Sequence, residues 1–180
     1  MGWAVHPTQR DAHAATLFTA VCHEHAVSPA GLVLHADNGS PMKGATMLAT
    51  LEKLGIMPSF SRPRVSNDNA YAESLFRTCK YRPNYPSKPF GNIDEARKWT
   101  LEFVQWYNHQ HKHSSLKFVT PAQRHDGRDA MILQQRKQVY EAAKEQHPER
   151  WTGETRDWNL KGEVWLNPER SQPEELRKAA

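Results

Sequence analysis

Apolar positions recur at steps of three and four over residues 11–27, where Ala14, Ala15, Leu17, Phe18, Val21 and Cys22 form a helical stripe opened by Asp11 as an N-terminal acid. The pattern then changes. After the breaker "SPAG", the "LVLHAD" stretch is a short leucine-rich, β-branched run of the buried type, and "NGSP" stops it, so Asp37 falls at the carboxyl end of a strand. Residues 42–54 return to helical spacing through Met47, Leu48, Leu51 and Leu54 and close at Gly55, after which "IMPSF" reads as another strand. "GWAV", residues 2–5, reads as a strand remnant ending at Pro7. The alternation of strand and helix predicts a parallel sheet.

Residues 69–80, "NAYAESLFRTCK", predict a helix with two faces. Ala72, Leu75, Phe76 and Cys79 make an apolar stripe, whereas Glu73, Arg77 and Lys80 project together from another side. On spacing alone, Glu73 and Arg77 also suit an ordinary i,i+4 ion pair. A further amphipathic helix is expected over 92–112, "TPAQR" restarts the chain, and residues 129–147 predict a long polar helix that projects from the core. The last thirty residues, rich in tryptophan, glycine and charge, lack periodicity and predict an irregular tail that lies on a surface or is disordered.

Composition narrows the class. A chain of 180 residues with 38% hydrophobic positions suits one domain with an appendage; no apolar run reaches the length of a membrane span, and no secretory leader opens it, so a cytoplasmic protein is expected. Cys22 and Cys79 make neither a disulfide framework nor paired zinc spacing and read as buried thiols. His109, His111 and His113 alternate on one helix end, where neighbours two apart diverge by about 200°, so the three do not meet on one metal. His35 reads as packed or hydrogen-bonded. Charge is uneven: residues 61–88 carry Arg62, Arg64, Arg77, Lys80, Arg82 and Lys88 against Asp68 and Glu73, which equals the whole chain's surplus of +4. That segment is the one expected to attract a polyanion.

Taken as a set, "LVLHADNGSPM", "SRPRVSNDNAYAESLFRTCK" and "FVQWYNHQHKHSSLKFVTPAQR" resemble the second half of the integrase catalytic core of bacterial insertion-sequence transposases, in the superfamily of DDE recombinases that includes retroviral integrases. The resemblance covers roughly residues 2–125 and implies an α/β, ribonuclease H-like fold, a mixed sheet flanked by helices. It implies metal-dependent phosphoryl transfer on DNA, with Asp37 and Glu73, separated by 35 residues, as catalytic carboxylates and ligands of Mg²⁺ or Mn²⁺. In such chemistry two ions ~3.5–4 Å apart serve the attacking and leaving oxygens, and hard oxygen ligands suit them. Lys80 would touch DNA near the element's end, and Arg77, Arg62, Arg64 and Arg82 would track phosphates of element ends and target.

The sequence departs from the family in one respect. The family has a further aspartate on the first strand of the sheet, and in these 180 residues only Asp11 and Glu24, both in the first helical pattern, precede Asp37. The expectation is therefore an incomplete core over 1–125, with about three strands rather than five, followed by a helical extension over 126–150 and an irregular tail over 151–180. Such a truncated piece is expected to be inactive alone, its two-ion site forming only in the complete core. The alternatives are a DNA-binding or transposase-binding fragment acting as an inhibitor, by association with full-length transposase or with itself, and an unselected genomic remnant.

Overall fold

The computed structural model describes residues 2–28, 31–65, 67–162 and 164. These fall into two compact units, Gly2–Lys88 and Pro89–Val164. Pro29 and Ala30 of the predicted breaker and the distal part of the predicted tail, residues 165–180, lie outside the described residues. Among the described residues no helix is long and apolar enough to cross a membrane.

The first unit is built on a strand–helix–strand crossover. Helix α1 (Asp11–Glu24) precedes strand β1 (Val33–Ala36); the short helix α2 (Ser40–Lys43) and helix α3 (Ala45–Leu54) follow, and strand β2 (Met57–Phe60) returns parallel to β1. Val33 pairs with Met57 and Ala36 with Phe60. Gly55 ends α3 at φ 71°, the left-handed region where a side chain is costly, and the reversed chain delivers Ile56 into the core, its N–H on the Leu51 carbonyl at 2.9 Å. Ala15, Met47, Leu51 and Ile56 form that core, with Phe18, Cys22, Leu34 and Leu54 packed around them. Leu51→Ala removes a side chain that is 1% exposed and is expected to lower the stability of this unit by about 2–5 kcal/mol, checked by urea unfolding; a change under ~1 kcal/mol contradicts the core assignment. Helix α4 (Ala70–Lys80) completes the unit and has no buried residue.

The predicted strand at residues 2–5 does not form. Those residues run without regular structure and pair with no strand, and Gly2 stands directly against the side chain of Val21 on α1. A strand propensity without a ladder partner stays coil. The sheet among the described residues therefore has two strands, both parallel, where the sequence predicts about three in a mixed sheet.

The second unit holds helix α5 (Ile93–His109), the short helix α6 (Pro121–His125) and helix α7 (Asp129–Gln146). Asn92 caps α5, its Oδ1 accepting from the N–H groups of Asp94 and Glu95 at 3.0 and 2.9 Å. Thr120 and Gln123 make a reciprocal capping box for α6. Aromatic rings line α5, with Trp99 stacked on Phe103 at 5.6 Å. Beyond α7 the tail, expected on a surface or disordered, packs inward at one point: Trp158 joins Val119 and Leu133 in a core cluster. Lys117 Nζ bonds Asp157 at 2.7 Å and Arg124 Nη2 bonds the Lys161 carbonyl at 2.8 Å, pinning the segment on either side of that ring.

Two carboxylates give the units a common acid sensitivity. The Thr46 N–H holds Asp11 below the usual carboxylate range, and the Lys117 ammonium followed by the Asn159 N–H does the same for Asp157. For a depressed acid, the stabilisation is present above the unfolded-state value of about 4 and is lost as pH falls through the lower native value. Urea midpoints are expected to drop on acidification below about pH 4, more shallowly in Asp11→Asn. Equal acid slopes for that variant and the parent would discount the Asp11 contribution.

Candidate functional site

Asp37 follows the last residue of β1 and is exposed. Its Oδ1 accepts from the Gly39 N–H at 3.0 Å, closing an Asx turn. A Cβ on residue 39 would stand 2.9 Å from that same oxygen, so a side chain there would displace the carboxylate. Asn38 then ties the turn to the chain after β2, its Nδ2 donating to the Ser61 carbonyl at 2.9 Å. One local bond thus orients the Asp37 carboxylate and another anchors its neighbour, while among the described residues the second carboxylate oxygen carries no bond. His35, two positions before it on the strand, bonds Ser59 on β2 through Nδ1 at 2.9 Å, in keeping with a structural rather than catalytic histidine.

Glu73 lies in the first turn of α4, exposed, and among the described residues it makes no ion pair. The pair with Arg77 allowed by the spacing is not formed; the Arg77 guanidinium instead lies 5.8 Å from the centre of the Tyr81 ring. Lys80 is exposed on the same side. Ala72, Leu75, Thr78 and Cys79 are half-buried and form the packed side, but Phe76, expected in the apolar stripe, is 62% exposed. The period is right for the stripe and wrong for Phe76, which sits on its margin toward Glu73. Cys79 and Cys22, expected buried, are half-buried, and burial pushes the Cys79 thiol up, away from reactivity.

The remaining basic residues differ in what they can offer. Arg62 grips Asp68 with two nitrogens, Nε to Oδ2 at 3.0 Å and Nη2 to Oδ1 at 2.8 Å, and its backbone N–H reaches the same carboxylate. Asp68 is 5% exposed, so this pair fixes the loop ahead of α4 and commits the charge of Arg62. Arg64 is exposed with φ 64° in the same loop. Arg82 is half-buried just beyond α4.

Asp37 and Glu73 belong to the same unit and present the hard oxygen donors that Mg²⁺ prefers. No group of three His, Cys, Asp or Glu side chains that could hold a metal occurs among the described residues. Asp11 is otherwise engaged, its Oδ2 taking the Thr46 N–H at 3.1 Å at the start of α3. His111 is occupied too, packed 4.9 Å from Trp106 and 5.3 Å from Tyr107, with burial and then the neighbouring His113 lowering its pKa.

Residues 54–121 match the integrase core domain family, a span that includes α4 and Glu73. The chain is 29% identical over 122 residues to a transposase for insertion sequence element IS904 from Lactococcus lactis, covering 67% of this chain and 47% of that protein. It is 36% identical over 95 residues to a 31 kDa protein of insertion element IS600 from Shigella sonnei, covering 52% of this chain and 35% of that protein. The chain thus spans about half or less of the length of these relatives.

Proposed function

We propose that this chain, similar to insertion-sequence transposases and matching the integrase core domain over residues 54–121, serves DNA transposition, with Asp37 and Glu73 as metal-holding carboxylates. The carrying observation is the α4 face on which Glu73, without an ion pair among the described residues, stands with exposed Arg77 and Lys80. A carboxylate kept from its i+4 arginine is available to a cation, and the nearby positive charges are available to phosphates. Bound divalent ions would supply Lewis-acid activation of the attacking oxygen and stabilisation of the leaving one. The protein's part is positional: the Asx turn at Gly39 orients Asp37 on the rigid sheet end, and the helix backbone orients Glu73. Lys80, Arg77 and Arg64 would meet the DNA backbone. Arg62, committed to Asp68, would contribute least of the basic set, with Arg82 at the helix end beside them.

Two carboxylates hold a pair of ions poorly, so the 180-residue chain is proposed to bind DNA without cutting or joining it. In that state it could occupy element ends in competition with a full-length transposase, or assemble with one or with itself.

Binding should be sequence-independent and steeply salt-dependent. The double variant Arg77→Glu, Lys80→Glu is expected to weaken duplex binding at low salt and to reduce the salt slope by about one per lost phosphate contact, whereas Arg62→Ala changes the slope little. Anisotropy titrations across a salt series measure both. Unchanged slope and affinity in the double variant would show that α4 does not face DNA.

A further inference from the structure

Asp37 and Glu73 are linked through the loop between β2 and α4. Ser61, the first residue beyond β2, is bonded on both sides of Asp37: its N–H donates to the Ala36 carbonyl at 3.0 Å, and its carbonyl accepts from Asn38 Nδ2 at 2.9 Å. The next residue is Arg62. Its backbone N–H, Nε and Nη2 reach the buried Asp68 carboxylate at 2.8, 3.0 and 2.8 Å. Asn69 follows, and its carbonyl accepts the Glu73 N–H at 3.1 Å in the first turn of α4. Between Arg62 and Asp68 the chain passes through Arg64 in the left-handed region at φ 64°, a conformation that persists where its surroundings fix it. Helix α4 itself has no buried residue, so packing alone holds its position weakly.

We propose that Asp68, through Arg62, is a positioning residue that sets Glu73 against Asp37 at one metal site. The inference rests on the reading of Asp37 and Glu73 as metal-holding carboxylates and adds what fixes their separation. A bidentate arginine–carboxylate pair with a third bond from the backbone has one geometry, so it can carry the register of the sheet end into the helix. A staple that merely closed residues 62–68 would have no tie to Asp37. This one continues through Ser61 to both neighbours of that aspartate. Misplacing a reacting group by ~1 Å can cost about a hundredfold in rate, which is why such a site needs its carboxylates held by a fixed frame.

The test has two readouts. Residual dipolar couplings of the isotope-labelled 180-residue chain report whether α4 is fixed to the β1–β2 sheet. In the parent both segments are expected to fit one alignment tensor, whereas in Asp68→Ala the sheet should keep its couplings and α4 should lose the common fit. Asp68→Asn, which keeps the buried volume and an acceptor for the Arg62 N–H, should fall between the two. Adding Arg62→Ala to Asp68→Ala should cause no further change, because the two side chains act as one unit. The second readout is Mn²⁺ titrated into the chain joined to a relative's segment that bears the first-strand aspartate. The concentration at which amide signals of Asp37–Gly39 and of Asn69–Arg77 fade should rise about tenfold or more in Asp68→Ala, the scale of losing a residue that supports metal ligands. Urea midpoints measured alongside identify the variants that remain folded. Helix α4 unfixed in the parent or still fixed in Asp68→Ala, or an unshifted Mn²⁺ concentration in a folded variant, would overturn the positioning role and leave the carboxylate reading intact. A joined parent protein in which the two segments do not fade together would overturn the carboxylate reading and the positioning role with it.

Discussion

Trp158→Ala is expected to cost the Pro89–Val164 unit about 3–5 kcal/mol, most or all of what a domain of this size holds in reserve. The indole is 7% exposed against Val119 and Leu133, with the Tyr140 ring edge-on at 5.2 Å. Two guanidiniums cover it, Arg136 at 5.5 Å and Arg156 at 5.3 Å, so its removal leaves a void and takes the ring from under Arg136, while Arg156 keeps the Phe118 ring at 4.8 Å. The loss spreads to the backbone. Lys117 and Phe118 are consecutive left-handed residues at φ 54° and 62°, and Arg136 holds both their carbonyls, at 2.6 and 3.1 Å. That strained turn depends on the arginine that Trp158 supports. Urea unfolding followed by circular dichroism should show the unit melting early in Trp158→Ala, and a shift of under ~1 kcal/mol would mean that residues 151–162 merely rest on the surface. Asp157→Asn removes the Lys117 ion pair and is expected to forfeit at neutral pH the stabilisation that the depressed carboxylate supplies, a far smaller loss than that of Trp158→Ala.

The second large effect is chemical. Joined to a relative's segment that carries the first-strand aspartate, these 180 residues are expected to support Mg²⁺-dependent nicking and joining at element ends. In that joined protein Asp37→Asn and Glu73→Gln should each reduce joining by at least about a hundredfold, the scale of losing one preorganised electrostatic group at a transition state. DNA binding should persist, because both substitutions leave Arg77 and Lys80 in place. Joining that survives either substitution would remove that residue from the catalytic set, and Mg²⁺-dependent joining by the 180-residue chain alone would contradict the two-carboxylate account.

The crossover of β1, α3 and β2 was legible because three independent signals agree: a short apolar run at 32–36, which forms the strand although it is no more than half-buried, helical spacing from Met47 to Leu54, and a glycine where the chain must turn left-handed. Asp37 at a strand end and the Glu73 face of α4 follow from those elements. What pattern could not reach depends on partners distant in sequence or on single residues. Phe76 has the right spacing for the stripe, yet burial is decided by what packs on the helix. "GWAV" has strand-forming residues but no ladder partner. Arg62 adds to a charge count although Asp68, six residues on, takes both its nitrogens. Trp158 is a single anchor in an aperiodic tail, and one buried ring leaves no period to detect.

The central claim, that Asp37 and Glu73 serve one metal site, is open to a measurement that needs no activity. Mn²⁺ titrated into the joined protein, isotope-labelled over these 180 residues, broadens amide resonances near each ion it meets. The account predicts that signals of Asp37–Gly39 and of Asn69–Arg77 fade together, at the same Mn²⁺ concentration, and that Asp37→Asn and Glu73→Gln each abolish the fading at both segments. Fading of one segment without the other, or first fading at the histidines of 109–113, would contradict it.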